Sequence, residues 1–173
     1  MAKTVIGVFD DFTAALNTAP DLVSDGFARE TISVVAPDTK GEYEQYFHSP
    51  TDPHIETDTG IGAAIGGVGG LLVGLAALAI PGIGPVIAAG PLVAALAGAT
   101  VGAATGSLVG ALNGLGLPES EAEAYHTGIR EGHSLVIVRA DESVVGQAVE
   151  IMHRHRALRV DEHDPQSPPS RQT

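Results

Sequence analysis

The sequence predicts an α+β protein: a sandwich split into a leading β-α-β half and a trailing α-β-α-β half around a long apolar insertion. Three observations predict it. The outer segments alternate β-branched runs with stretches of helical periodicity. The stretch from Thr59 to Pro118 contains no charged residue. Within it glycine recurs every fourth residue, at Gly62, Gly66, Gly70 and Gly74 and again at Gly98, Gly102, Gly106, Gly110 and Gly114. A four-residue step keeps successive glycines near one stripe of a helix, and a stripe without side chains lets another backbone approach. These nine glycines are the predicted helix-packing interface.

The first half spans residues 1–58. Thr4 to Phe9 is a short β-branched run, and Asp10 or Asp11 then offers an N-cap for a helix with apolar positions Phe12, Ala15, Leu16, Ala19, Leu22 and Val23. Gly26 sits where a C′ glycine ends a helix, and Thr31 to Ala36 is a second strand stopped by Pro37. Pro20 inside the helix removes a hydrogen bond at a cost of roughly 3 kcal/mol, which predicts a kink or a two-part helix. The second half spans 118–160. Pro118 at the first helical position, followed by Glu119, Glu121 and Glu123, starts a helix favoured by the macrodipole, with Ala122, Tyr125 and Ile129 on one face and Gly132 at its end. Leu135 to Val138 is a continuous apolar strand. Asp141 is the predicted cap of a helix with Val145, Ala148, Val149 and Met152 inward, and Leu158 to Val160 is a short last strand. From Asp161 on, Pro165, Pro168 and Pro169 with few apolar residues predict a disordered tail, 161–173.

Together these elements make a split ferredoxin-like sandwich with its insertion, residues 59–117, between the second and third strands. The insertion is predicted to be a hairpin of two helices, about 61–80 and 91–114. Both ends of a hairpin emerge on the same side, so the halves of the sandwich can meet, whereas a single span would separate them. At 1.5 Å per residue the helices measure roughly 30 and 36 Å, long enough to cross a hydrocarbon core of about 30 Å. A sandwich of this size leaves most of their apolar surface uncovered, so either lipid or sister subunits must cover it. Against insertion, the segment lacks Lys, Arg, Trp, Tyr and Phe, the usual interfacial anchors.

Composition excludes several classes of function. A formal net charge of -12, from nine Lys and Arg against 21 Asp and Glu, argues against nucleic acid and anionic headgroups as electrostatic partners. With zero cysteines there is neither thiol chemistry nor a thiolate metal site. The opening apolar run is too short for a signal peptide and turns acidic at once, which predicts a mature cytoplasmic start.

The block Ile80-Pro81-Gly82-Ile83-Gly84-Pro85-Val86-Ile87-Ala88-Ala89-Gly90-Pro91-Leu92, the glycine ladder after it, Leu117-Pro118-Glu119-Ser120-Glu121-Ala122 and the opening Thr4-Val5-Ile6-Gly7-Val8-Phe9-Asp10 resemble a bacterial family of general or heat-induced stress proteins with a central glycine zipper. The resemblance spans most of residues 3–160. It implies a bacterial, stress-linked, non-enzymatic role, and it brings no catalytic residues to carry over.

Each chemical motif has a simpler explanation. His153 and His155 do not share a helical face and nothing nearby completes a metal set, and His163 falls in the tail. His48, His54, Asp52, Glu56 and Asp58 form an acidic loop whose Pro50 and Pro53 mark it as a linker. No glycine run spells a dinucleotide fingerprint or a P-loop. The pairs Asp10-Asp11 and Asp141-Glu142 and the series Glu119, Glu121, Glu123 sit at helix starts, where capping explains them. Thr100, Thr105, Ser107 and Asn113, the polar side chains of the second ladder, are placed to hydrogen-bond between helices or to line a lumen, and the first use is favoured because Ser and Thr also satisfy their own backbone. No catalytic, cofactor or metal site is predicted. The expected function is a non-catalytic protein at the cytoplasmic side of the bacterial inner membrane, or in the cytoplasm, that anchors or oligomerises through its hairpin. Membrane lipid and further copies of itself are the expected partners. The alternative is a scaffold subunit of a larger complex whose helices form an apolar tube or chamber for a lipid-like molecule such as a quinone.

Overall fold

The computed structural model describes residues 2–38, 76–80, 82–97 and 108–164. They form a mixed α/β domain around one antiparallel sheet. In chain order the elements are β1 (Ala2–Phe9), α1 (Phe12–Ser24), β2 (Ile32–Pro37), β3 (Ala76–Ile80), β4 (Gly84–Ala89), α2 (Pro91–Ala97), α3 (Leu108–Gly114), α4 (Glu119–Arg130), β5 (Ser134–Asp141), α5 (Val145–Arg154) and β6 (Arg159–His163). The six strands lie in the order β3-β4-β2-β5-β1-β6, every neighbouring pair antiparallel.

Strand alternation divides the core in two. On one face Val5, Phe9, Ile32, Val34, Val136 and Val138 meet α1 through Ala15, Leu16, Ala19 and Leu22 and α5 through Val145, Ala148, Ile151 and Met152. On the opposite face Ile6, Val35, Leu135 and Ile137 meet α2, α3 and α4 through Leu92, Leu96, Leu108, Leu112, Ala122 and Ile129. The result is three layers, helices on both faces of the sheet. A period of two along each strand requires this, because β1, β2 and β5 are apolar on both faces and neither can be left to water.

Local chemistry accounts for the first element. Asp11 caps α1, its carboxylate accepting from the Thr13 N–H at 3.1 Å, and Gly26 follows the helix with φ +99°. Of the predicted kink or two-part helix, the second is ruled out: α1 runs as one helix through Pro20, with Ala19 and Leu22 beside it fully buried. Further on, Pro118 is the N-cap of α4 rather than its first helical residue, and Asp141 ends β5 instead of capping α5 with its side chain.

The apolar insertion differs most from expectation. Residues 76–80, placed by sequence in the first long helix, form β3, and 84–89 form β4. The turn between them is set by Gly82 and Gly84 at φ +86° and +96°, with the Ile83 N–H donating to the Ile80 carbonyl. β4 pairs with β2, so an edge that would otherwise leave β2 carbonyls and amides unpaired is closed. Each of the two prolines here sits where its missing N–H costs little. Pro85 turns its carbonyl toward the end of β2, where it accepts from Asp38, while the Pro37 nitrogen faces away from β4, past the start of β5. The second predicted helix, 91–114, is described at its two ends, as α2 and α3 of seven residues each. Among the described residues no helix is long and apolar enough to cross a membrane. The expected first helix therefore stands corrected over 76–80, the two described ends of the second are helical as expected, and 59–75, 81 and 98–107 lie outside the described residues.

The physical reason is that a two-layer sandwich leaves one face of its sheet bare, and the insertion supplies the apolar cover that face needs. Gly90 fixes the return. At φ +81° it turns the chain from β4 into α2, and the Leu92 N–H then donates to the Ser33 hydroxyl at 3.2 Å, so α2 starts directly above β2. At the exit, the Thr4 hydroxyl donates to the Leu115 carbonyl and ties the loop after α3 to β1.

Candidate functional site

Of the nine ladder glycines, Gly62, Gly66, Gly70, Gly74, Gly98, Gly102 and Gly106 lie outside the described residues. Gly110 and Gly114 fall on α3, four apart as predicted. Gly114 is exposed, and a side chain added there would meet nothing within 4 Å, so that end of the stripe faces open space. Asn113 is exposed beside it, whereas Thr100, Thr105 and Ser107 fall outside the described residues, as does the acidic loop with His48 and His54.

A second group was not foreseen. The predicted disordered tail begins in fact with strand, because Asp161, Glu162 and His163 continue β6 and pair with Ile6, Val5 and Thr4. Alternation along β6 puts Arg159, Asp161 and His163 on the face toward α4. On α4, Glu121 and Tyr125 are four apart and point the same way. The Tyr125 hydroxyl donates to Asp161 Oδ2 at 2.7 Å and lies 3.1 Å from His163 Nε2. His163 Nδ1 is 2.7 Å from Glu121 Oε2, an oxygen closed off from solvent that has no aligned hydrogen bond of its own. Arg159 pairs with Asp161 and sets its guanidinium 5.2 Å from the centre of the Tyr125 ring, a cation–π distance.

Counting donors assigns the protons. Tyr125 has one, given to Asp161, so its oxygen accepts from His163 Nε2–H, while Nδ1 faces the Glu121 carboxylate. Both imidazole nitrogens thus face acceptors. Burial, then the neighbouring Asp161, push the Tyr125 hydroxyl well above its ordinary value of 10.0. A phenol held neutral, with its proton committed, is a poor acid and no nucleophile. The five side chains form a clasp that fastens the edge strand β6 to α4.

Beside the clasp lies a half-open cavity of about 270 Å³, floored by Val8 and Leu135 and rimmed by Thr127, His133, Leu158 and Arg159. Leu158 is the one large apolar side chain left exposed among the described residues. His155 meets Asp21 Oδ2 at 2.7 Å and links α5 to α1; His153 is exposed. Among the described residues no group of three or more His, Asp or Glu is placed to hold a metal ion.

The clasp had a signal in the sequence: Glu121 and Tyr125 share a helical face, and Arg-Val-Asp-Glu-His alternates. The prolines beyond it drew the boundary too early. Compared with protein-family models, curated proteins and solved structures, the chain finds no match.

Proposed function

We propose that this is a non-catalytic assembly protein, of the bacterial stress-protein kind that its sequence resembles, in which an acidic α/β head presents a glycine-periodic segment to further copies of itself. The observation that carries this is the glycine spacing within an uncharged stretch, residues 59–118, in a chain whose net charge is -12. Copies that repel elsewhere meet at least cost where no charge is present. Glycines four apart favour close helix contact once they are packed. On this reading the head is a ferredoxin-like split sandwich; in support, β2-β5-β1-β6 is the strand order of that fold, with α1 and α5 on one face. The four-stranded unit is then widened by β3 and β4 and covered on its second face by the insertion.

A second reading, anchorage at the cytoplasmic side of a membrane, draws on the same uncharged length. Self-association is preferred because the described part of the insertion is already covered by the head. Light scattering of the full-length chain, with and without detergent, tests both. Self-association predicts an oligomer without detergent that Gly102→Leu with Gly106→Leu breaks down. A monomer without detergent, or an unchanged mass in the double variant, contradicts it. Carbonate washing of membranes decides the second reading, since complete release of the protein rules out insertion.

A further inference from the structure

The two edges of the sheet are built differently. β6, at one edge, carries Arg159, Asp161, Glu162 and His163 in five residues, the charged dressing that keeps an edge from pairing. β3, at the other, is Ala-Ala-Leu-Ala-Ile, with no charge and no proline. Its outer side has no strand beside it among the described residues. Register shows what that side offers. Because the Pro85 carbonyl accepts from Asp38, the backbone groups of Pro85 face β2 and those of Val86 face β3. Val86 lies opposite Leu78, so Leu78 bonds inward, and the N–H and C=O of Ala77 and Ala79 point away from β4.

We propose that β3 pairs antiparallel with β3 of a second copy of this chain, joining two sheets edge to edge. A two-fold axis at Leu78 sets Ala77 of one copy opposite Ala79 of the other. Each such pair exchanges two backbone hydrogen bonds. Charge selects the occupant: two chains of net charge -12 meet here through strands that carry no charge themselves, within a stretch, 59–118, that has none. The chain's own preceding residues are poor strand material, since glycines at 60, 62, 66, 67, 69, 70 and 74 disfavour a paired strand. This contact is made by backbone and is independent of the glycine ladder.

The chain has no cysteine, so one introduced thiol reports a contact unambiguously. At the axis the two Leu78 positions form a non-hydrogen-bonded pair with Cα atoms about 4.5 Å apart, within the range a disulfide spans. Under mild oxidation, full-length Leu78→Cys is expected to cross-link to twice the chain mass at least ten times faster than Ser120→Cys, which sits exposed on α4. Adding Ala77→Pro, which removes one outward N–H, should slow the Leu78→Cys cross-link by a similar factor. Adding Gly102→Leu with Gly106→Leu should leave it unchanged, so failure of the ladder and failure of the edge contact are told apart. Equal rates for Leu78→Cys and Ser120→Cys would overturn the proposal, as would a rate that Ala77→Pro does not alter in a variant that keeps its circular dichroism. Should the proline variant fail to fold, the comparison of the two cysteine variants alone decides.

Discussion

Gly90 has no room for a side chain. A Cβ there would lie 2.0 Å from the Ile32 carbonyl oxygen and 3.0 Å from Ser33 Cα, both backbone, and φ is +81°. Neither atom can swing aside, so Gly90→Ala should cost about 3 kcal/mol or more, read as a fall in the urea midpoint. Gly26 is the control. It shares a positive φ, +99°, but nothing lies within 4 Å, so Gly26→Ala should cost only the backbone strain of about 1 kcal/mol. Tyr125 is the second test at this scale. Tyr125→Phe removes the proton given to Asp161 and should lose about 1 kcal/mol at neutral pH. The pH dependence has a definite sign. The folded hydroxyl holds its proton more tightly than the unfolded one, first because it is buried and then because Asp161 is adjacent. Its stabilisation is therefore complete below the ordinary value of 10.0 and declines above it. Denaturation at pH 7 and above pH 10 should show the wild type losing stability faster than Tyr125→Phe over that interval.

At the scale of elements, the helices and strands that declare themselves locally were legible. α1 combines a capping aspartate, an apolar stripe and a terminal glycine, and each lies where the sequence puts it. Asp11→Ala should cost about 1 kcal/mol by leaving the Thr13 amide without its acceptor, as chemical denaturation would register. β5 and α4 were similarly clear, since Leu135 to Val138 is too short and too apolar for a surface helix and Ala122, Tyr125 and Ile129 keep helical spacing. β3 was not legible. Ala76, Ala77, Leu78 and Ala79 are all good helix formers, and only pairing with β4, itself held by β2, makes them a strand. The β4–β2 pairing joins residues some fifty positions apart and leaves no local trace. β6 failed for the opposite reason. Its polar residues look like tail until Glu121 and Tyr125, on a different element, are seen to face them. The clasp was thus hidden in a relation between two segments, each of which looks ordinary alone.

For the whole molecule, the consequence is that a stretch apolar enough to suggest a membrane is, where described, part of the protein's own core. The sheet of the head has two apolar faces. α1 and α5 cover one, and the insertion covers the other with Leu92, Leu96, Leu108 and Leu112, beside Ala122 and Ile129 of α4. Among the described residues the β3 edge is an uncharged strand in an acidic chain. The measurement that tests this most directly is hydrogen exchange on the full-length protein without detergent, followed at Gly84–Ala89 and Leu108–Gly114 and compared with Ser134–Asp141. If the insertion is the third layer, amides bonded within β4 and α3 should be protected to within about an order of magnitude of those in β5, because opening them bares the same core. Exchange at the rate of a free peptide in β4 and α3, with β1 and β5 still protected, would contradict it.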